Sequence, residues 1–121
     1  MEYSEVLIWA VIAAHVLFAG MQAFRWPFVA ERLLGIVDAD GIAKTATVGK
    51  SFASYNFSIA IGLGLSLYLL SENVARDVHV AVMSLIVFTA VVGLLGTRSK
   101  VILFGRLLPA VGAVSLLLLG L

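Results

Sequence analysis

Four long apolar runs, separated by short polar interruptions, make up most of the chain. They lie at about residues 5–24, 51–70, 77–96 and 101–121. A membrane-spanning helix needs about 20 mostly apolar residues, so each run predicts one transmembrane helix. Ser71, Glu72 and Asn73 form one break, and Thr97, Arg98, Ser99 and Lys100 form another; both suit the end of one helix and the cap of the next. Such short links predict that spans two, three and four are consecutive antiparallel neighbours. The expected fold is all-α: a polytopic integral membrane protein, an antiparallel four-transmembrane-helix bundle forming a single domain over residues 1–121.

The loop over residues 25–50 is the one extended connection. Arg25, Trp26 and Pro27 read as a snorkelling cation, an interfacial tryptophan and a proline suited to a first helical turn. Residues 28–36 fit a short amphipathic helix lying along the membrane surface. Asp38, Ala39, Asp40 and Gly41 read as a turn without calcium-loop spacing. Asp40 is the expected cap of a helix that starts near Gly41 and runs directly into the second span.

Composition agrees with this pattern. Of the 121 residues, 62% are hydrophobic and 12% charged, and the mean hydropathy is +1.11. A soluble domain this small could not bury so much apolar surface; a bilayer can take it. The net charge of +1 argues against nucleic acid, which needs a clustered basic face. The chain has no cysteine, which removes disulfides, thiolate metal sites and thiol redox chemistry. No cofactor or metal site is expected: His15 and His79 fall at different depths, and no other ligand set accompanies either.

Charge sets the expected orientation. Arg25, Arg32, Lys44 and Lys50 lie in the first loop and Arg98 and Lys100 in the third, while the opposite side has Arg76 alone. The positive-inside rule places the first and third loops in the cytoplasm and both termini outside. The leader Met1, Glu2, Tyr3, Ser4 and Glu5 lacks the basic start of a cleaved signal peptide, so the first span reads as a retained anchor.

Polar residues within the runs are few. Ser54, Ser58, Gly62 and Ser66 recur every fourth residue, a small-residue stripe that lets helices approach closely. It suits either a seam inside the bundle or a dimerisation face. Gln22, Asn56 and Arg106 all fall within one or two turns of the cytoplasmic interface, at ~1.5 Å rise per residue. His15 shares a helical face with Gln22, and Tyr55 precedes Asn56. Two readings stand. Either Arg106 snorkels to headgroups while Gln22 and Asn56 lock the helices, or the set lines a pocket for a polar or anionic ligand. Pro109 cannot donate to the Gly105 carbonyl, so a kink beside Arg106 is expected. Every carboxylate lies in a loop or at a span edge. That counts against proton-coupled export of the small multidrug-resistance type and against carboxylate acid–base chemistry in the bilayer.

The chain resembles, over nearly its whole length, the domain-of-unknown-function family 1304. That family's first span typically reads histidine, glutamate seven residues on and tryptophan four later; here these are His15, Gln22 and Trp26. Its second span typically opens asparagine, glutamine, glycine, any residue, tyrosine, asparagine. Here Ser51, Phe52, Ala53 and Ser54 precede the matching Tyr55 and Asn56. A glutamine typically precedes proline-alanine in the last span; Arg106 stands there before Pro109 and Ala110. The departures fall on polar positions, so an acid-dependent activity would not carry over through Gln22. The resemblance implies a four-helix membrane fold, no established function, and one site shared by His15, Gln22, Tyr55, Asn56 and Arg106.

Three functions remain, in this order. The first is a transporter, channel or ligand- or lipid-binding bundle with a cytoplasm-facing polar pocket, acting as a homo-oligomer. The second is a non-catalytic accessory or assembly subunit of a larger membrane complex. The third is a membrane enzyme acting on a lipid or isoprenoid substrate.

Overall fold

A computed structural model describes residues 3–121; the part of the leader formed by Met1 and Glu2 lies outside the described residues. Five helices follow one another: α1 (Tyr3–Phe24), α2 (Trp26–Leu34), α3 (Ala39–Leu69), α4 (Glu72–Thr97) and α5 (Lys100–Leu119). There is no strand among the described residues. All but α2 are long and apolar enough to cross a membrane.

Local chemistry sets the boundaries. Pro27 occupies the first turn of α2, where its missing N–H costs nothing. Gly35, at φ +68°, closes that helix, with the Ile36 N–H reaching the Ala30 carbonyl at 3.0 Å. The cap of α3 is Asp38, two residues before the expected Asp40. Its Oδ1 accepts from the Gly41 N–H at 2.6 Å, whereas Asp40 forms an exposed 2.5 Å ion pair with Lys44. From there α3 runs unbroken for 31 residues, about 46 Å at ~1.5 Å per residue. That is longer than a hydrocarbon core of about 30 Å, so its first turns would project beyond one that the helix crossed upright. Helix α4 starts at Glu72, ahead of the expected residue 77, so Arg76 and Asp77 are helical. The irregularity expected at Pro109 takes the form of a π turn over Leu103–Leu107. Proline cannot donate to the carbonyl four residues back, and a wider turn just before it accommodates the break.

The packing order is not the chain order. Helix α1 lies against α3 on one side and α5 on the other, and α4 lies against α5. Helices α3 and α4, although joined by a link of only Leu70 and Ser71, pack on one another far less than α1 on α3 or α4 on α5. Spans three and four are neighbours as expected, whereas spans two and three are only weakly so. The cause lies in the buried faces: Ala53 and Ala60 let α1 close on α3, and Ala110 and Ala113 do the same for α5. At one end of the bundle, the terminal end, the Ser4 N–H meets the Leu121 carbonyl at 3.3 Å. There Arg76 Nε also donates to the Leu117 carbonyl at 3.0 Å. The other end, the basic end, has α2, the α4–α5 turn and six of the eight Lys and Arg residues.

Two cores result. Ile8, Val11, Ile12, Leu63, Met83, Ile86 and Leu117 fill the main one between the four long helices. The second joins α2 to the projecting part of α3 through Trp26, Val29 and Ala30, packed on Ile42 and Ala46. Trp26, expected at a membrane interface, is 5% exposed and donates from Nε1 to Thr45 Oγ1 at 3.1 Å. Gly49 allows this: a Cβ there would overlap the indole ring.

The small-residue stripe lies elsewhere than an internal seam requires. Ser54, Ser58 and Gly62 are exposed on the outside of α3, and of the four only Ser66 is buried. The seam inside the bundle runs along Gly49, Ala53, Asn56, Ala60 and Leu63. Small residues occur on both faces of α3, so spacing alone did not distinguish them.

Candidate functional site

Because α3 and α4 part toward the basic end, the bundle holds a cavity there of about 460 Å³. Its walls are mainly apolar: Phe18 from α1, Trp26 and Leu33 from α2, Phe52 and Ile59 from α3, Ile102 from α5. Gln22, Tyr55, Asn56, Thr89 and Arg106 bring polar atoms into it. The structure thus gathers four of the five residues singled out as a site. It does not bring His15 to the cavity wall.

Asn56 Nδ2 donates to Gln22 Oε1 at 2.7 Å, tying α3 to α1. Asn56 is 7% exposed, so this amide pair is largely shielded from competing water. Arg106 sits on the π turn. Its Nη2 donates to Thr89 Oγ1 over a long 3.4 Å, while the Thr89 hydroxyl donates to the Ile86 carbonyl at 3.1 Å. Arg106 Nε is buried and has no partner among the described residues. Among the described residues the sole ion pair is Lys44 with Asp40, so no carboxylate answers the Arg106 charge. A guanidinium offers five donors, and here most remain available. Tyr55 is 67% exposed and borders the mouth.

His15 is fully buried and lies behind Phe18, with ring centroids 6.4 Å apart and planes at 76°. Its Nδ1 is 2.8 Å from the Val11 carbonyl. A carbonyl only accepts, so Nδ1 carries the hydrogen, and in the neutral ring Nε2 is an acceptor. That Nε2 is buried without a partner. Two close approaches fix the register of α1 against α5. A Cβ on Gly112 would meet Leu7 Cδ1 at 2.9 Å, and one on Gly105 would meet Phe18 Cζ at 3.0 Å. His15 lies between Leu7 and Phe18 as Arg106 lies between Gly105 and Gly112, which sets the two at one level. His15 is also within electrostatic reach of the Arg106 charge.

Two further depressions flank the bundle. One of about 470 Å³ adjoins the cavity and is lined by Arg32, Arg98 and Lys100; Leu33, Thr97 and Val101 border both. The other, about 590 Å³, lies at the terminal end among Glu5, Glu72, Arg76 and His79. There Ser66 Oγ donates to the Leu63 carbonyl at 2.7 Å and meets His79 Nε2 at 2.7 Å, fastening α3 to α4. Between the two ends, Val11, Leu63, Met83 and Ile86 are at most 2% exposed, so packed side chains occupy the middle.

Sequence reasoning missed Thr89 and the aromatic walls. Thr89 is one hydroxyl in an apolar run, and Phe18 and Phe52 look like any lipid-facing phenylalanine. Only the splay of α3 from α4 gives them a role.

The sequence model of a family described as a protein of unknown function, DUF1304, matches residues 9–118. Neither the curated proteins nor the solved structures contain a match to the chain.

Proposed function

The chain belongs to the DUF1304 family of proteins of unknown function, and we propose that it is a membrane protein that binds an amphiphile with an anionic head group from the cytoplasmic leaflet. The observation that carries this reading is Arg106: a cation without a carboxylate partner, set in an apolar-walled cavity beside the Gln22–Asn56 amide pair. An anionic head would take up the free guanidinium donors, and a charge-assisted bond is among the stronger kinds of hydrogen bond. An acyl or isoprenoid tail would lie on Phe18, Phe52 and Ile59 and leave between α3 and α4. The volume falls within the range of about 300–1,000 Å³ common for small-molecule sites.

Binding is favoured over conduction because the middle of the bundle is packed. An enzyme reading has less support, since among the described residues no acidic side chain lines the cavity. The six cations at the basic end support a cytoplasmic placement. Arg32, Arg98 and Lys100 beside the mouth would also raise the local concentration of anionic lipid.

The test pairs retention with stability. Detergent-purified protein should retain hexadecyl phosphate in preference to hexadecylphosphocholine. Arg106→Ala should lower phosphate retention about tenfold, the loss of a charged hydrogen bond, with little change in thermal unfolding. Unchanged retention together with a clear loss of stability would instead mark Arg106 as a snorkelling anchor.

A further inference from the structure

Two polar atoms of the bundle are buried without a partner among the described residues: Arg106 Nε, a donor, and His15 Nε2, an acceptor in the neutral ring. They belong to facing helices at one level, by the register that Leu7–Gly112 and Phe18–Gly105 impose. Buried polar groups are nearly always paired, and two unpaired groups of opposite kind in one layer call for a single complementary group. At this level α4 brings Thr89, by its contact with Arg106, and α3 the stretch near Leu63, by the Gln22–Asn56 and Trp9–Tyr68 registers, and neither is charged. Phe18, which lines the cavity and lies edge-on to His15, is the side chain between the amphiphile cavity and the buried ring.

We propose that His15 and Arg106 together form the head-group subsite of this cavity, and that it selects an oxyacid head retaining one hydrogen. This inference rests on the amphiphile-binding reading above and narrows its ligand class. The head oxygen accepts from Arg106 Nε, and its O–H donates to His15 Nε2. A monoprotonated phosphate monoester and an un-ionised carboxylic acid both meet this requirement. A sulfate ester, with oxygens that only accept, places a lone pair against the His15 lone pair. Phe18 turns aside to admit the head, which makes His15 a binding residue although it does not line the cavity before the ligand enters.

Hexadecyl phosphate and hexadecyl sulfate separate these cases, since they share a chain and differ in the hydrogen. Near pH 6, close to the second pKa of a phosphate monoester at about 6, much of the phosphate keeps its hydrogen. The wild-type protein should bind the phosphate about tenfold more tightly than the sulfate, because a site built for a hydrogen-bond donor rejects an analogue without one. His15→Phe should remove that preference, and His15→Gln, which retains an acceptor oxygen, should restore part of it. Equal binding of the two amphiphiles by the wild-type protein, as expected if a water fills the space, overturns the inference and leaves the amphiphile reading standing. Binding of neither overturns both. The wild-type comparison needs no variant, so a His15 variant that fails to fold does not block the result.

Discussion

At the scale of single residues, the cost of burying polar groups explains which side chains matter. Asn56 and Gln22 are tolerable within the bundle because each meets the other at 2.7 Å. An interhelical bond of this kind contributes only about 0.5–1.5 kcal/mol net, since the unfolded chain in a membrane also finds partners. A double-mutant cycle with Asn56→Leu and Gln22→Leu should return a coupling in that range, read from unfolding in detergent. A coupling near zero would show that the two amides act independently. Single variants should lose more than the double variant implies, because each strands the remaining amide in an apolar wall. Arg106 differs, since among the described residues no carboxylate neutralises it. The depth of Gln22, Asn56 and Arg106 was legible in the sequence from helix rise alone. That two of them bond, and that the third has no carboxylate, needed the packing.

At the scale of elements, the helices divide into those whose ends follow local rules and those shaped by their neighbours. Asp38, Gly35 and Pro27 mark their boundaries by ordinary capping and turn chemistry. Helix α2 is different. Its place depends on Trp26 entering a gap that exists because residue 49 has no side chain. Gly49→Ala should therefore destabilise the protein by about 1–3 kcal/mol, the usual cost of overpacking, although alanine is the better helix former. Thermal unfolding together with a shift of Trp26 fluorescence toward a wetter environment checks this. An unchanged or raised melting temperature would show that α2 docks without the close approach. An arginine–tryptophan–proline string at a span end reads as interfacial from the sequence, and nothing local to it shows that the tryptophan is buried by its own chain. Only the long projecting part of α3 supplies the surface that buries it.

At the scale of the whole molecule, asymmetry between the two ends is the main feature. The terminal end is drawn together by Ser66 with His79, Arg76 with the Leu117 carbonyl, and the Ser4 N–H with the Leu121 carbonyl. The basic end parts around a cavity and carries most of the cations. The chain has no cysteine, so single introduced thiols report topology directly. Asn73→Cys should react with an impermeant maleimide on intact cells, and Asp40→Cys only after permeabilisation. The reverse pattern would overturn the cytoplasmic placement of the cavity.

The sequence by itself determined the helical class, the number of apolar helices long enough to cross a membrane, and the common depth of the polar residues. These follow from run length, helix rise and the scarcity of charge, all of which are local properties of the chain. Tertiary structure decided which faces meet. Chain order suggested that α3 and α4 should pack together, yet α3 turns its alanine face to α1 and α4 packs on α5, and the cavity is the space left between them. Spacing could not have revealed that, because Ala53 and Ala60 on one face of α3 and Ser54, Ser58 and Gly62 on another are equally small. Complementarity with a second helix selects between them, and that is a property of two surfaces rather than of one sequence.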